Sequence, residues 1–276
     1  MSKLKEPQAE SAGELPAEPA ADEALAVDEI PGMDPDPDPA APPGPAPVRA
    51  SWAWLVALAV TALCAGAVAL AFQPERAGTR TLLGILGCNY FGLAVVTLIW
   101  LRSRGVLADR LRPAAGDISK GFALAALLYG AALLGHRLLT PTGSLREGWI
   151  IRFYLQIGEP AVTTAYPVAL AVLLIGACSE IVWRGLVAEL LVGAHGQTRG
   201  WLLSSALGAL SWAPSMILLG DLAAGPNPAV VAAALASGLA WGLIAVRTRR
   251  LVPMVFSHAL ALWAVVQYPV WRIGLH

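Results

Sequence analysis

The chain has 276 residues, of which 57% are hydrophobic, and its mean hydropathy is +0.61. A soluble domain is roughly 45–50% apolar, so this composition excludes an ordinary water-soluble enzyme. The formal net charge of zero hides an asymmetry: residues 1–50 hold eleven Asp/Glu against three Lys/Arg, whereas the rest holds eight acids against sixteen bases.

The first element in chain order is a tail. Eleven of the 21 prolines lie before residue 50, in stretches such as "PGMDPDPDPAAPPGPAP". Such a composition buries too little apolar surface to offset the entropy of ordering. Residues 1–50 are therefore expected to be a disordered, acidic, Pro-rich tail, and residues 51–276 a membrane domain. No basic region followed at once by an apolar core opens the chain, so no signal peptide is expected.

Apolar runs of about 20 residues then recur, the length that crosses roughly 30 Å of hydrocarbon. Seven spans are predicted, near 52–72, 82–101, 120–139, 163–192, 201–219, 229–246 and 251–270. The fold class is thus all-α, a polytopic bundle of about seven transmembrane helices. The fourth run is too long for a simple crossing and is expected to tilt or project.

Loop charge sets the orientation. "LRSRGVLADRLRPAAGDISK" carries Arg102, Arg104, Arg110, Arg112 and Lys120, and "RTRR" carries Arg247, Arg249 and Arg250. With seven spans both lie on one side. A multi-pass protein of the inner (plasma) membrane, with its N-terminus in the cytoplasm, is expected. Trp52, Trp54, Trp100, Trp149, Trp201 and Trp271 fall near span ends, as an interfacial belt would. Trp183, Trp212, Trp241 and Trp263 lie deeper.

Charges inside spans are costly and usually paired. The deep candidates are Glu180, Arg184, Glu189 and His258. Glu180 and Arg184 are four apart, so they pair along one helix face. Spacing alone leaves two readings open, a structural ion pair or a site within the membrane. Glu189 reads as a solvated acid at the end of span four. Cys64, Cys88 and Cys178 read as small buried hydrophobes. No metal site is expected, since only one deep His is present, and no cofactor or nucleic-acid motif is found.

Three motifs then carry a resemblance. "SEIVWRG" resembles the E-E-x-x-x-R-G motif of the CAAX protease and bacteriocin-processing (CPBP, or Abi) family of intramembrane endopeptidases. "SSALGALSWAP" resembles its second motif, S-S-x-x-F-x-x-x-H-x-P. "SGLAWGLIAVRTRRLVPMVFSHALAL" is similar to its third, matching at Gly238, Gly242, Arg247, Thr248, Pro253 and His258. The similarity spans roughly Ala165 to Val266.

The resemblance implies a water activated by a glutamate and the second-motif histidine, and an oxyanion held by the third-motif histidine and asparagine. Glu180, Arg184 and His258 keep their motif positions. Ser179 stands where the first glutamate belongs, Gly208 where a phenylalanine does, Trp212 for the second-motif histidine and Leu262 for the asparagine. A Ser hydroxyl is no base at neutral pH, and an indole N–H only donates. Ser179, Glu180, Trp212, His258 and Leu262 are expected to converge on one cavity.

The leading expectation is a degenerate member that binds a membrane helix or lipidated peptide without cleaving it. The bilayer and such a peptide are the expected partners. The alternative is an active endopeptidase using Glu180 as general base and His258 in the oxyanion site. A small transporter or channel is a third reading, which the deep tryptophans and scarce charges oppose.

Overall fold

A computed structural model describes residues 49–158 and 165–270. Of the expected tail, residues 1–50, all but the last two lie outside the described residues, as does Trp271, and Ala50 already begins the first helix.

Each predicted span appears as a helix. α1 is Ala50–Ala71, α2 Thr81–Ser103 and α3 Asp117–Leu139. A short helix, α4, is Glu147–Ile157. α5 is Ala165–His195, α6 Gln197–Leu218, α7 Ala229–Thr248 and α8 Val252–Gln267. Six of these are long and apolar enough to cross a membrane, and α8 is shorter at 16 residues. The 23 residues of α2 rise about 34 Å, enough to cross the hydrocarbon. The long helices have no consistent polar face, as lipid-exposed spans do not and soluble amphipathic helices do, whereas α4 is amphipathic. The protein is a multi-pass membrane helical bundle.

α5 is the central helix. It packs against α1, α2, α6 and α8, while α8 also packs against α3, and α7 against α6. With 31 residues it reaches well past a simple crossing, as its sequence suggested. Its middle is not plain α-helix. Ile181–Val187 winds as a π-helix, one bond register wider. Such insertions cluster at functional sites.

α6 is interrupted at Ser211–Trp212, between Gln197–Leu210 and Ala213–Leu218. Pro214 explains the break, because its ring cannot continue the preceding turn.

Spacing did not reveal α4, which lies between predicted spans three and four. It ties one end of the bundle together. Gln156 Nε2 donates to the carbonyls of Ala71 (3.2 Å) and Gln73 (3.1 Å), closing the α1 C-terminus. Tyr154 Oη donates to Val265 O and accepts from Val270 N–H, both at 3.0 Å. Burial pushes the Tyr154 phenol up to about 12. Arg152 meets Asp221 at 3.3 Å. Backbone N–H groups of Ala223 and Ala224 bond the Asp221 carboxylate and hold its pKa below the usual aspartate value.

Two expectations need correction. Glu189 is not a free solvated acid: its carboxylate receives Arg110 Nη2 at 2.6 Å, from the α2–α3 loop. Only Cys64 of the three cysteines is fully buried, while Cys88 is exposed on the outer face of α2 and Cys178 is half-buried. In lipid an exposed small apolar residue carries no penalty, so burial in protein is not required.

Candidate functional site

The centre of the site is Glu180, at the last α-helical turn before the π segment. Its side chain is almost wholly buried, with the residue 1% exposed. Oε1 lies 2.8 Å from His258 Nδ1 on α8. Oε2 faces Arg184 Nε at 3.5 Å, an ion pair too long to be a good hydrogen bond. Indeed Glu180 Oε2 and Arg184 Nε have no hydrogen-bond partner among the described residues. The wider π turn brings positions four apart nearer to eclipse than an α turn does. That puts Arg184 directly along the helix from Glu180.

Arg184 is 5% exposed. Its Nη2 donates to Gly238 O at 2.8 Å, and Ser205 Oγ donates to the same carbonyl at 2.9 Å. Side chains from α5 and α6 thus meet at one acceptor on α7. Gly238 is free to offer it because no side chain stands between α7 and Ser205.

His258 is held on three sides. Nδ1 lies 2.8 Å from Glu180 and 3.1 Å from Ser179 Oγ. Trp241 stacks on the imidazole, with centroids 3.9 Å apart and planes at 17°. Trp241 Nε1 in turn donates to Ser257 Oγ at 3.0 Å. The imidazole retains 20% of its side-chain exposure.

This geometry assigns protons. A carboxylate is the stronger acceptor, so Nδ1–H donates to Glu180. The Ser179 hydroxyl donates to Gly176 O at 2.9 Å. With both Ser179 and Glu180 on the same ring nitrogen, no Ser–His–Glu relay exists: a triad needs the two nitrogens to serve different partners.

Gly176 makes this meeting possible. A Cβ there would stand 2.8 Å from Ala259 Cα and 3.2 Å from the His258 carbonyl carbon. Those are backbone atoms of α8. The bare glycine lets α8 approach α5 closely enough for His258 to reach Glu180.

Of the five positions expected to converge, Ser179, Glu180 and His258 do so directly. Trp212 and Leu262 both pack against the larger apolar cluster. Trp212 meets Phe72 edge-on at 5.9 Å and takes no part in the hydrogen bonds of the site. Gly208 has its own explanation: the Trp183 ring lies 3.6 Å from where its Cβ would stand, so a large residue on α5 fills the room beside a small one on α6.

Sequence reasoning missed Gly176, Ser205, Trp241 and Ser257. Ser205 and Ser257 are ordinary buried hydroxyls in sequence. Trp241 does sit between Gly238 and Gly242, and small residues flanking a deep tryptophan are a signal of close packing. An open, shallow apolar depression of about 660 Å³ lies between α1 and α6, lined by Leu58, Ala62, Ala65, Leu210 and Pro214 among others and by none of Ser179, Glu180, Arg184 or His258. Among the described residues no three His, Cys, Asp or Glu side chains are grouped as a metal ion would require.

Residues 161–264 match the family model described as Rce1-like, type II CAAX prenyl endopeptidase Rce1-like. No curated protein and no solved structure matches the chain significantly. The matched stretch, residues 161–264, carries Glu180, Arg184 and His258, and over it the chain is similar to CAAX prenyl endopeptidases.

Proposed function

We propose that this protein is a non-cleaving relative of these endopeptidases, one that binds a membrane helix or lipidated peptide. One observation carries the reading: the Glu180 carboxylate is already committed. One oxygen holds His258, the other faces Arg184, and the group is shut away from water. Peptide hydrolysis needs a base beside a water as that water bonds to carbon. Ser179 and Trp212 supply none.

The accessible edge of His258 favours a second reading, an active endopeptidase with Glu180 as base and His258 in the oxyanion site. The shortage of a free base weighs against it: the Glu180 carboxylate is bonded to His258 and faces Arg184, so neither oxygen is left for a water.

The test uses the full chain in detergent with a prenylated peptide and with a transmembrane peptide, each labelled on both sides of the scissile region. The expected result is binding with no cleavage above that of Glu180→Gln and His258→Ala. Cleavage by the native sequence that Glu180→Gln abolishes would overturn the proposal in favour of the second reading.

The location is part of the same proposal: the plasma membrane, with the N-terminus, Ala108 and Arg249 in the cytoplasm and Asp221 outside. The excess of Arg at one end motivates it. Reporter fusions at Ala108, Asp221 and Arg249 check it, and an external signal at Arg249 reverses the orientation.

A further inference from the structure

The α2–α3 loop and the α7–α8 turn, distant in sequence, are clamped together. Leu251 N–H donates to Arg110 O at 2.9 Å, and Arg110 Nη1 donates to Arg249 O at 2.8 Å. Arg110 also pairs with Glu189 at 2.6 Å. Arg250 Nη1 lies 3.2 and 3.3 Å from the two oxygens of Asp117, which is fully buried at the start of α3. Two arginines and two acids are therefore consumed in building a rigid floor.

Further cations at this end of the bundle have no acidic partner among the described residues, among them Arg102, Arg104, Arg112, Lys120, Arg247 and Arg249. All are exposed except Arg104, which is half-buried with its guanidinium 5.6 Å from the Trp100 ring centre. Arg104 and Arg249 both lie close enough for their charges to act on Glu189. Asp109 is the one exposed acid of the α2–α3 loop.

We infer that this end of the bundle is a binding site for anionic phospholipid headgroups. Charge complementarity is the first argument. Several guanidinium groups on a fixed backbone suit phosphate oxygens, which they bind in bidentate fashion. Depth is the second. The cations sit where α2 ends, α3 begins and α7 turns into α8, the level at which headgroups meet the hydrocarbon. The third is an adjoining apolar surface. Ile118 and Phe122 share a face in the first turns of α3 and stay 62% and 60% exposed, so an acyl chain has a surface beginning where the basic loop ends. A soluble anion would use the charges but not this surface.

The test is native mass spectrometry of the full chain in a neutral detergent, offered equal amounts of phosphatidylglycerol and phosphatidylcholine with the same acyl chains. Retention of the anionic lipid is expected to exceed that of the zwitterionic one by about tenfold, and to weaken as salt rises. Replacing Arg102, Arg104, Arg112 and Arg249 together by Gln should bring the two lipids near parity. Replacing the same four by Lys should weaken the preference without abolishing it, because the charge remains while the bidentate guanidinium contact is lost. Arg76→Gln with Arg80→Gln, at the other end, should leave it intact. The inference is overturned by parity in the native chain, by a preference that survives the Gln variant or higher salt, by equal loss from the Arg76 and Arg80 changes, or by displacement of the lipid with inorganic phosphate at the lipid's concentration. If the Gln variant does not fold, the Lys variant and the salt series in the native chain still decide.

Discussion

Arg184→Ala is expected to destabilise the bundle by about 3–5 kcal/mol, the usual consequence of leaving a buried charge without its partner. Two groups lose their neighbour at once. Glu180 Oε2 would face a void in place of a guanidinium at 3.5 Å, and Gly238 O would keep only Ser205. Truncation also leaves a cavity between α5 and α7. Glu180→Gln should cost less. Its carbonyl still accepts from His258, and Arg184 still holds Gly238 O. The check is the yield of monodisperse protein from membranes together with its thermal midpoint in detergent. Equal and undiminished values for the two variants would show that the pair contributes nothing to the fold.

Gly176→Leu should be as damaging, by a steric route. The side chain would begin 2.8 Å from Ala259 Cα and 3.0 Å from Ala259 N. Backbone has no rotamer to yield, so α8 must move off α5. Forcing extra carbons into a packed interface costs roughly 1–3 kcal/mol or more. Even the smaller Gly176→Ala should open the site. The Glu180–His258 contact at 2.8 Å and the Ser179–His258 contact at 3.1 Å both span this interface. Faster acylation of the His258 ring by diethyl pyrocarbonate is the expected signature. Gly130→Ala on α3, with nothing within 4 Å, should not destabilise the bundle and should leave that rate unchanged. An unaltered acylation rate in Gly176→Ala would show that the close approach does not govern access to His258.

The spans were legible in the sequence because each is a long run with a single physical demand, that its side chains be apolar. The buried ions were legible for the converse reason: a charge in such a run is expensive enough to mark itself. Glu180, Arg184 and His258 stood out this way. What hydropathy does not encode is handedness of detail. The π turn at Ile181–Val187 leaves composition unchanged. Trp241 reads the same whether it faces lipid or stacks on an imidazole. α4 is too short and too polar to resemble a span, yet its Gln156 and Tyr154 close the ends of α1 and α8. Glu189 looked like a solvated end because its partner, Arg110, is 79 residues away in sequence and lies in a loop whose path no local rule gives.

The π segment has a consequence for the whole of α5. It fixes the angular phase between the two halves of one shaft. On one side of it Glu180 points at α8; on the other Glu189 points at the Arg110 loop. If the same residues wound as an ordinary α-helix, everything beyond them would be turned by about 100°, and Glu189 would no longer face Arg110. The wider turn takes up one extra residue while keeping the two halves in phase, so the interior ion pair and the basic end of the bundle are engaged together.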